Sequence, residues 1–220
     1  MAESGLHAEN WNQNSELLVM SRHNSIGFWY VADCDAPFRG VVQVDRDTRD
    51  LRKELAGQPI ARDWRPPPYK IVGSGKWPDW MGFWMPLLSV AGVSAIGDML
   101  EGHCEFLQWI NERQHDYSIV NVLTKIPRQY WTCQESSSHH GQLASADIIS
   151  LRGVGIPPIF TLDGYPSRVF VSSPLAQRSV EAGLTGVVFV DPRVKSLHVP
   201  FIQKRMKIRP TGFIHVQDDL

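Results

Sequence analysis

The sequence predicts an α+β fold: mostly antiparallel sheet with two to four short helices packed on it. Three observations lead there. Short β-branched and aromatic runs recur along the chain, among them SIGFWYVAD, CEFLQWI, YSIVNVLT and GVVFV. Only the stretches SVAGVSAIGDMLEG and SSPLAQRSVEAG join helical apolar spacing to a serine at one end and a glycine at the other. The links between strand-like runs, such as NERQHD and DGYP, are short and polar, which suits antiparallel neighbours.

In chain order, residues 25–33 (SIGFWYVAD) read as a strand and residues 40–44 (GVVQV) alternate as one. DRDTRDLRKELAG sets Leu51 and Leu55 one turn apart among charges and stops at Gly57, a short surface helix. WRPPPYK is extended, because each proline pushes its predecessor out of the α region. In KWPDWMGFWMP, Trp77, Trp80 and Trp84 are spaced as on one helical face, while Pro78, Gly82 and Pro86 interrupt a long helix; this reads as core or as a lid on it. Ser89 caps a helix with Val93, Ile96 and Leu100 on one face and Gly102 past its end. Residues 104–110 and 117–124 then pair antiparallel, and QESSSHHGQ (134–142) forms an exposed polar loop. Residues 148–151 and 159–162 are strands, DGYP turns the chain into RVFVS, and a helix capped by Ser173, with Pro174 at its first position, ends at Gly183 before GVVFV.

Composition narrows the function. The chain has 220 residues and a formal net charge of −1, which gives no global attraction to nucleic acid or anionic lipid. Its charge is uneven: residues 76–192 hold 7 basic and 11 acidic side chains, residues 193–220 hold 6 and 2. The basic tail, with Lys204, Arg205, Lys207 and Arg209, reads as a solvated strand edge in preference to a phosphate-binding face. The cysteines, Cys34, Cys104 and Cys133, are odd in number, and the first twenty residues lack the basic start and apolar stretch of a signal peptide. A cytoplasmic protein that does not enter the membrane is expected.

Chemistry-bearing motifs are sparse. Cys133 with His139 and His140 is the nearest approach to a zinc set, but adjacent histidines point different ways, so no metal or other cofactor is expected. His103 and Cys104 have the types for a thiol and its base, yet neighbours on a strand face opposite sides. VGSGKW lacks P-loop spacing, and RGVGIPP follows its glycines with two prolines; both read as turns. Asp33 and Asp35 flank Cys34 in ADCDAP and Glu101 lies four residues before Glu105, pairs that only folding can assemble. No catalytic constellation emerges.

From Trp77 onward the order of features resembles immunity protein family eleven of bacterial polymorphic-toxin systems. An aromatic lead-in (WPDW) precedes SVAGVSAIGDMLEG, the EFLQW and YSIVNVL strands follow, and after the polar loop come PPIFTLDG and RVFVSSPLAQRSVEAGLTGVVF with its GLTGV step. The resemblance implies a core at residues 76–192, an N-terminal extension at 1–75 packed on it and a basic C-terminal segment at 193–220. It implies a non-enzymatic antitoxin, monomeric when free, that binds a cognate secreted or contact-delivered toxin domain and occludes its active site or substrate-binding surface. The acid-rich middle segment suits a basic partner such as a nuclease. Candidate contacts are Glu135, His139 and His140 in the polar loop, Asp33 and Asp35 after the first strand, and the lead-in Trp80. With eight tryptophans, all before residue 132, one or two exposed anchors are expected. The rival readings are a small hydrolase or transferase using Cys133 with a histidine, or Asp33 with Asp35, and an RNA- or phosphate-binding module built on the basic tail.

Overall fold

The computed structural model describes residues 27–34, 37–44, 51–55, 57–82, 85–112, 115–133, 149–193, 203 and 211–215. Their architecture is the predicted α+β class, with mostly antiparallel pairing. The larger sheet has six strands in the order Gly212–Ile214 (β14), Val187–Val190 (β13), Phe28–Asp33 (β1), Tyr165–Ser172 (β12), Ile159–Leu162 (β11) and Lys125–Ile126 (β8). β1 runs antiparallel to both neighbours, with Tyr30 opposite Phe170 on one side and Val190 on the other; only the outer pairs β13–β14 and β11–β8 are parallel.

Both faces of this sheet are buried, which is why its strands read as nearly continuous apolar runs. Alternate residues enter opposite layers. Trp29, Val31, Val169, Val171, Val187 and Phe189 join one core, while Phe28, Tyr30, Phe170, Val188 and Val190 join the other. In that second layer Phe160 stacks on Phe170 with ring centroids 5.5 Å apart.

A four-stranded sheet, Trp80–Met81 (β4), Leu87–Ser89 (β5), His115–Val122 (β7) and Cys104–Glu112 (β6), is joined in that order. Leu88, Val120 and Val122 meet the first core, and Leu87, Leu107, Trp109 and Ile119 form a third with Leu51, which begins the single turn Leu51–Glu54 (α1). The helices Val90–Leu100 (α2) and Ser173–Glu181 (α3) contribute Ile96, Leu100, Leu175 and Ala176 to the first core. In α2 the Ser89 hydroxyl accepts from the Gly92 N–H at 3.0 Å, as its sequence position predicts. In α3 the cap is Ser172, one residue before the predicted Ser173; the Ser173 hydroxyl instead accepts from Trp29 Nε1 at 3.1 Å. Two ribbons complete the description: Gly40–Gln43 (β2) with Tyr69–Val72 (β3), and Trp131–Cys133 (β9) with Ile149–Leu151 (β10).

Within the segment 1–75, β1 lies inside the six-stranded sheet, between β13 and β12. Likewise β14 closes one edge of that sheet from within the predicted basic C-terminal segment. Trp80 is a core residue and lies in a two-residue strand, since Pro78 and the tight turn at Gly82, with φ +81°, leave no room for a helix.

No helix among the described residues is long and apolar enough to cross a membrane.

Candidate functional site

The WPDW and GLTGV motifs meet in space. Asp79 of WPDW sits against Thr185 of GLTGV, 106 residues away. The Asp79 carboxylate accepts from the Thr185 N–H at 3.0 Å and from its hydroxyl at 2.8 Å, and its other oxygen accepts from the Ser89 hydroxyl at 3.1 Å. The backbone reinforces the contact, as the N–H groups of Asp79 and Trp80 donate to the Thr185 carbonyl at 3.0 and 2.9 Å. Gly186 is a glycine because the chains touch: with φ +96°, its Cβ would lie 2.2 Å from the Trp80 carbonyl oxygen. One carboxylate thus ties the cap of α2, the lead-in and the entry to β13. This latch is scaffold, and local patterning gave no sign of it because its halves are far apart in sequence.

Asp33 stands beside the latch. Its carboxylate accepts from the Gly82 N–H at 2.9 Å, its carbonyl accepts from the side chain of buried Gln203 at 3.0 Å, and the next residue, Cys34, donates its N–H to Gly186. Packing raises the Asp33 pKa above its ordinary value by desolvation, partly offset by the Gly82 N–H. Of the predicted contacts the structure therefore brings Asp33 next to the Trp80 segment. Trp80 itself is a core residue at 1 % exposure, edge-on to Phe189 at 6.0 Å, and in this fold presents no surface to a partner. Asp35, Glu135, His139 and His140 lie outside the described residues, as does the polar loop at 134–142. The expected exposed tryptophan anchors are not found among the described residues. Trp29, Trp80, Trp109 and Trp131 are buried and Trp64 and Trp77 half-buried, their rings filling the spaces between sheet layers.

Among the described residues weighed for catalysis, His103, Cys104 and Glu105 have structural partners. The Cys104 thiol donates to the Leu100 carbonyl at 3.6 Å, and burial, with Glu105 nearby, pushes its pKa up to about 12, far from a reactive thiolate. His103 Nδ1 lies 2.9 Å from the Thr124 hydroxyl. Glu105 accepts from the N–H groups of Ile60 and Ala61 and from the Asn121 amide, fastening residues 58–61 over the four-stranded sheet. In VGSGKW the glycines let the chain cross the 37–39 backbone; a Cβ on Gly75 would lie 1.3 Å from the Pro37 carbonyl oxygen. Among the described residues no group of three or more His, Cys, Asp or Glu could hold a metal ion.

The surface feature that stands out is the β2–β3 ribbon. Of the five large apolar side chains exposed among the described residues, Val44, Ile71 and Val72, 40 to 57 % exposed, belong to it, with Ile71 opposite Val41 on its inner face, while Val90 and Ile156 lie elsewhere. Opposite residues of an antiparallel pair share a face. Val41 and Tyr69 face the third core, where Tyr69 meets Trp109 edge-on at 6.0 Å. The other face carries Val42 and Val44, with Lys70 and Val72 across from Val42 and Gly40. A solvent face that should be polar is thus largely branched apolar. The GVVQV reading found the strand but not this inversion, since alternation cannot say which face is covered.

No family model matches the chain, and no curated protein matches its sequence.

Proposed function

We propose that this protein is an immunity protein that binds a cognate bacterial toxin domain and neutralises it by covering its active site or substrate-binding surface. The observation that carries the reading is the division of labour between motif and surface: WPDW and GLTGV, which carry the resemblance, are spent on a latch inside the scaffold, while three of the exposed apolar side chains, Val44, Ile71 and Val72, lie on a ribbon outside it. A binding protein needs that pairing of rigid scaffold and sticky surface. Nanomolar neutralisation requires about −12 kcal/mol, within reach of an interface burying roughly 1,600 Å². The acid-rich segment 76–192 favours a basic partner and would hasten encounter.

The test is co-expression with the toxin domain encoded beside this chain's gene. Restored growth, together with a stoichiometric complex on size exclusion, supports the reading. Continued growth arrest with no complex overturns it. If steering by the acidic segment operates, the association rate falls as salt rises from low to physiological ionic strength.

A further inference from the structure

We infer that residues 58–63 form a strap that opens and recloses over the four-stranded sheet while the rest of the fold stays intact, with Glu105 and Asn121 as its clasp. The inference goes beyond the immunity reading and does not depend on it. The way the segment is held carries it. Among the described residues, the one backbone–backbone hydrogen bond made by 58–63 runs inside the segment, from the Asp63 N–H to Ile60 O at 3.0 Å. Its polar ties to the sheet come from two side chains. The Glu105 carboxylate accepts from the Ile60 N–H at 2.8 Å and the Ala61 N–H at 3.3 Å, and the Asn121 amide donates to Gln58 O at 2.9 Å and to Glu105 at 3.0 Å. Ile60 packs against the third core, whereas Gln58, Pro59, Ala61, Arg62 and Asp63 are exposed. Beneath them β6 and β7 are paired along eight residues each, so the strap can part from the sheet without disturbing it.

The ends of the strap are fixed. Upstream, Gly57 turns at φ +81° and Leu51 is buried in the third core; downstream, Trp64 Nε1 donates to Gln108 O and Trp109 Nε1 to Pro67 O, each at 2.7 Å. A short span between anchored ends gives up little entropy on returning to its seat. Closure also carries a cost that opening relieves. Asn121 is 1 % exposed, and its Oδ1 has no hydrogen-bond partner among the described residues. A buried acceptor without a donor has lost its bonds to water and gained none. Gln58 lies over this side chain, so lifting the strap returns water to Asn121 and to the Glu105 carboxylate. The open form is therefore reached well below the free energy of global unfolding, and it uncovers Glu105, Asn121 and the part of the third core under Ile60.

Native-state amide exchange on the full chain reads the motion. Val120, buried in β7 with its N–H donating to Pro86 O at 2.8 Å, is the reference. Ile60 and Ala61 are expected to be protected on the order of a hundredfold less than Val120, at a rate nearly independent of dilute denaturant. Glu105→Gln, which removes the charged acceptor, is expected to speed exchange at Ile60 and Ala61 roughly tenfold and to leave Val120 unchanged. Trypsin gives a second readout: the native chain is cut after Arg62, faster in Glu105→Gln, and the nicked protein melts within a few degrees of the intact one. Ile60 and Ala61 exchanging only as fast as Val120, with the same denaturant dependence, overturns the inference. So does a Glu105→Gln variant that speeds all three amides alike, or cleavage after Arg62 only under conditions that also unfold β7.

Discussion

Replacing Asp79 by alanine removes three hydrogen bonds at once, two from Thr185 and one from Ser89, all to a single carboxylate. Hydrogen bonds to a charged acceptor are worth ~1.5–3 kcal/mol each. Asp79 is only half-buried and the three share one group, so the low end applies and the terms do not add. A loss of about 3 kcal/mol is expected, which for a chain of this length lowers Tm by roughly 6–12 °C. Asp79→Asn should cost less, about 1 kcal/mol, because its oxygen can still accept from Thr185 while its amide donates to the Ser89 hydroxyl.

Urea unfolding of the single variants and of the Asp79→Ala, Thr185→Ala pair measures the latch directly, with an expected coupling of about 1–2 kcal/mol. A second readout is spectroscopic. Tyr117, whose hydroxyl donates to the Pro78 carbonyl, has its pKa raised first by burial and then by the Asp79 charge. Either Asp79 variant should therefore lower the phenol pKa in an ultraviolet titration. A destabilisation below about 0.5 kcal/mol, or zero coupling to Thr185, would refute the claim that this carboxylate joins the two motifs.

Trp80→Ala should cost about 3–5 kcal/mol by opening a cavity in the first core, whereas Trp80→Phe is far milder because the indole N–H has no hydrogen-bond partner to lose among the described residues; thermal melts of both variants check this. Asp33→Asn should raise stability at pH 7 only slightly, because Asp33 is exposed at the surface and solvent screens much of the desolvation that raises its pKa. The folded pKa of Asp33 is raised, so the wild type is best off below the ordinary value of about 3.9 and loses stability as pH climbs through the folded pKa, and the two proteins should converge in acid. If Asp33 also contacts the toxin, the same variant binds more weakly while melting higher. Cys104 should resist thiol reagents at pH 8 in the native state and react on unfolding; with its folded pKa near 12, its contribution to stability is intact below the unfolded value and declines as pH rises toward 12.

Where a signal was local, the chain could be read. The Ser89 cap and the Val93, Ile96 and Leu100 spacing placed α2, and the runs flanking NERQHD placed the β6–β7 pair, whose strands extend into that link, Asn111 pairing with Asp116 and Glu112 with His115. The one-residue slip at α3 arises because two serines in succession can each cap, and Trp29 Nε1, from a distant strand, takes the second. Non-local facts were not legible. An apolar run such as FWYVAD says strand, but not that it will sit between β12 and β13. Three tryptophans at helical spacing say apolar cluster, but Pro78 and the turn at Gly82 decide the backbone. The candidate surface was missed for a related reason. GVVQ and YKIV look like ordinary half-buried strands, and only their register shows that Val42, Val44 and Val72 share the uncovered side.

Latch and ribbon share no residue, and this separation has a consequence for how such a protein can change partners. The latch binds through one carboxylate and the close approach of Gly186 to the Trp80 carbonyl, where nearly every substitution costs stability. The ribbon is anchored by its inner residues, Val41 and Tyr69, leaving Val42, Val44, Lys70 and Val72 free to vary without disturbing the third core. Substitutions on the outer face should therefore move affinity and leave stability within about 0.5 kcal/mol, while substitutions at Asp79 or Thr185 do the reverse. An outer-face variant such as Val44→Asp that lowered the urea midpoint as far as Asp79→Ala does would show the ribbon to be part of the folding core, and the assignment of a separate recognition surface would then fail.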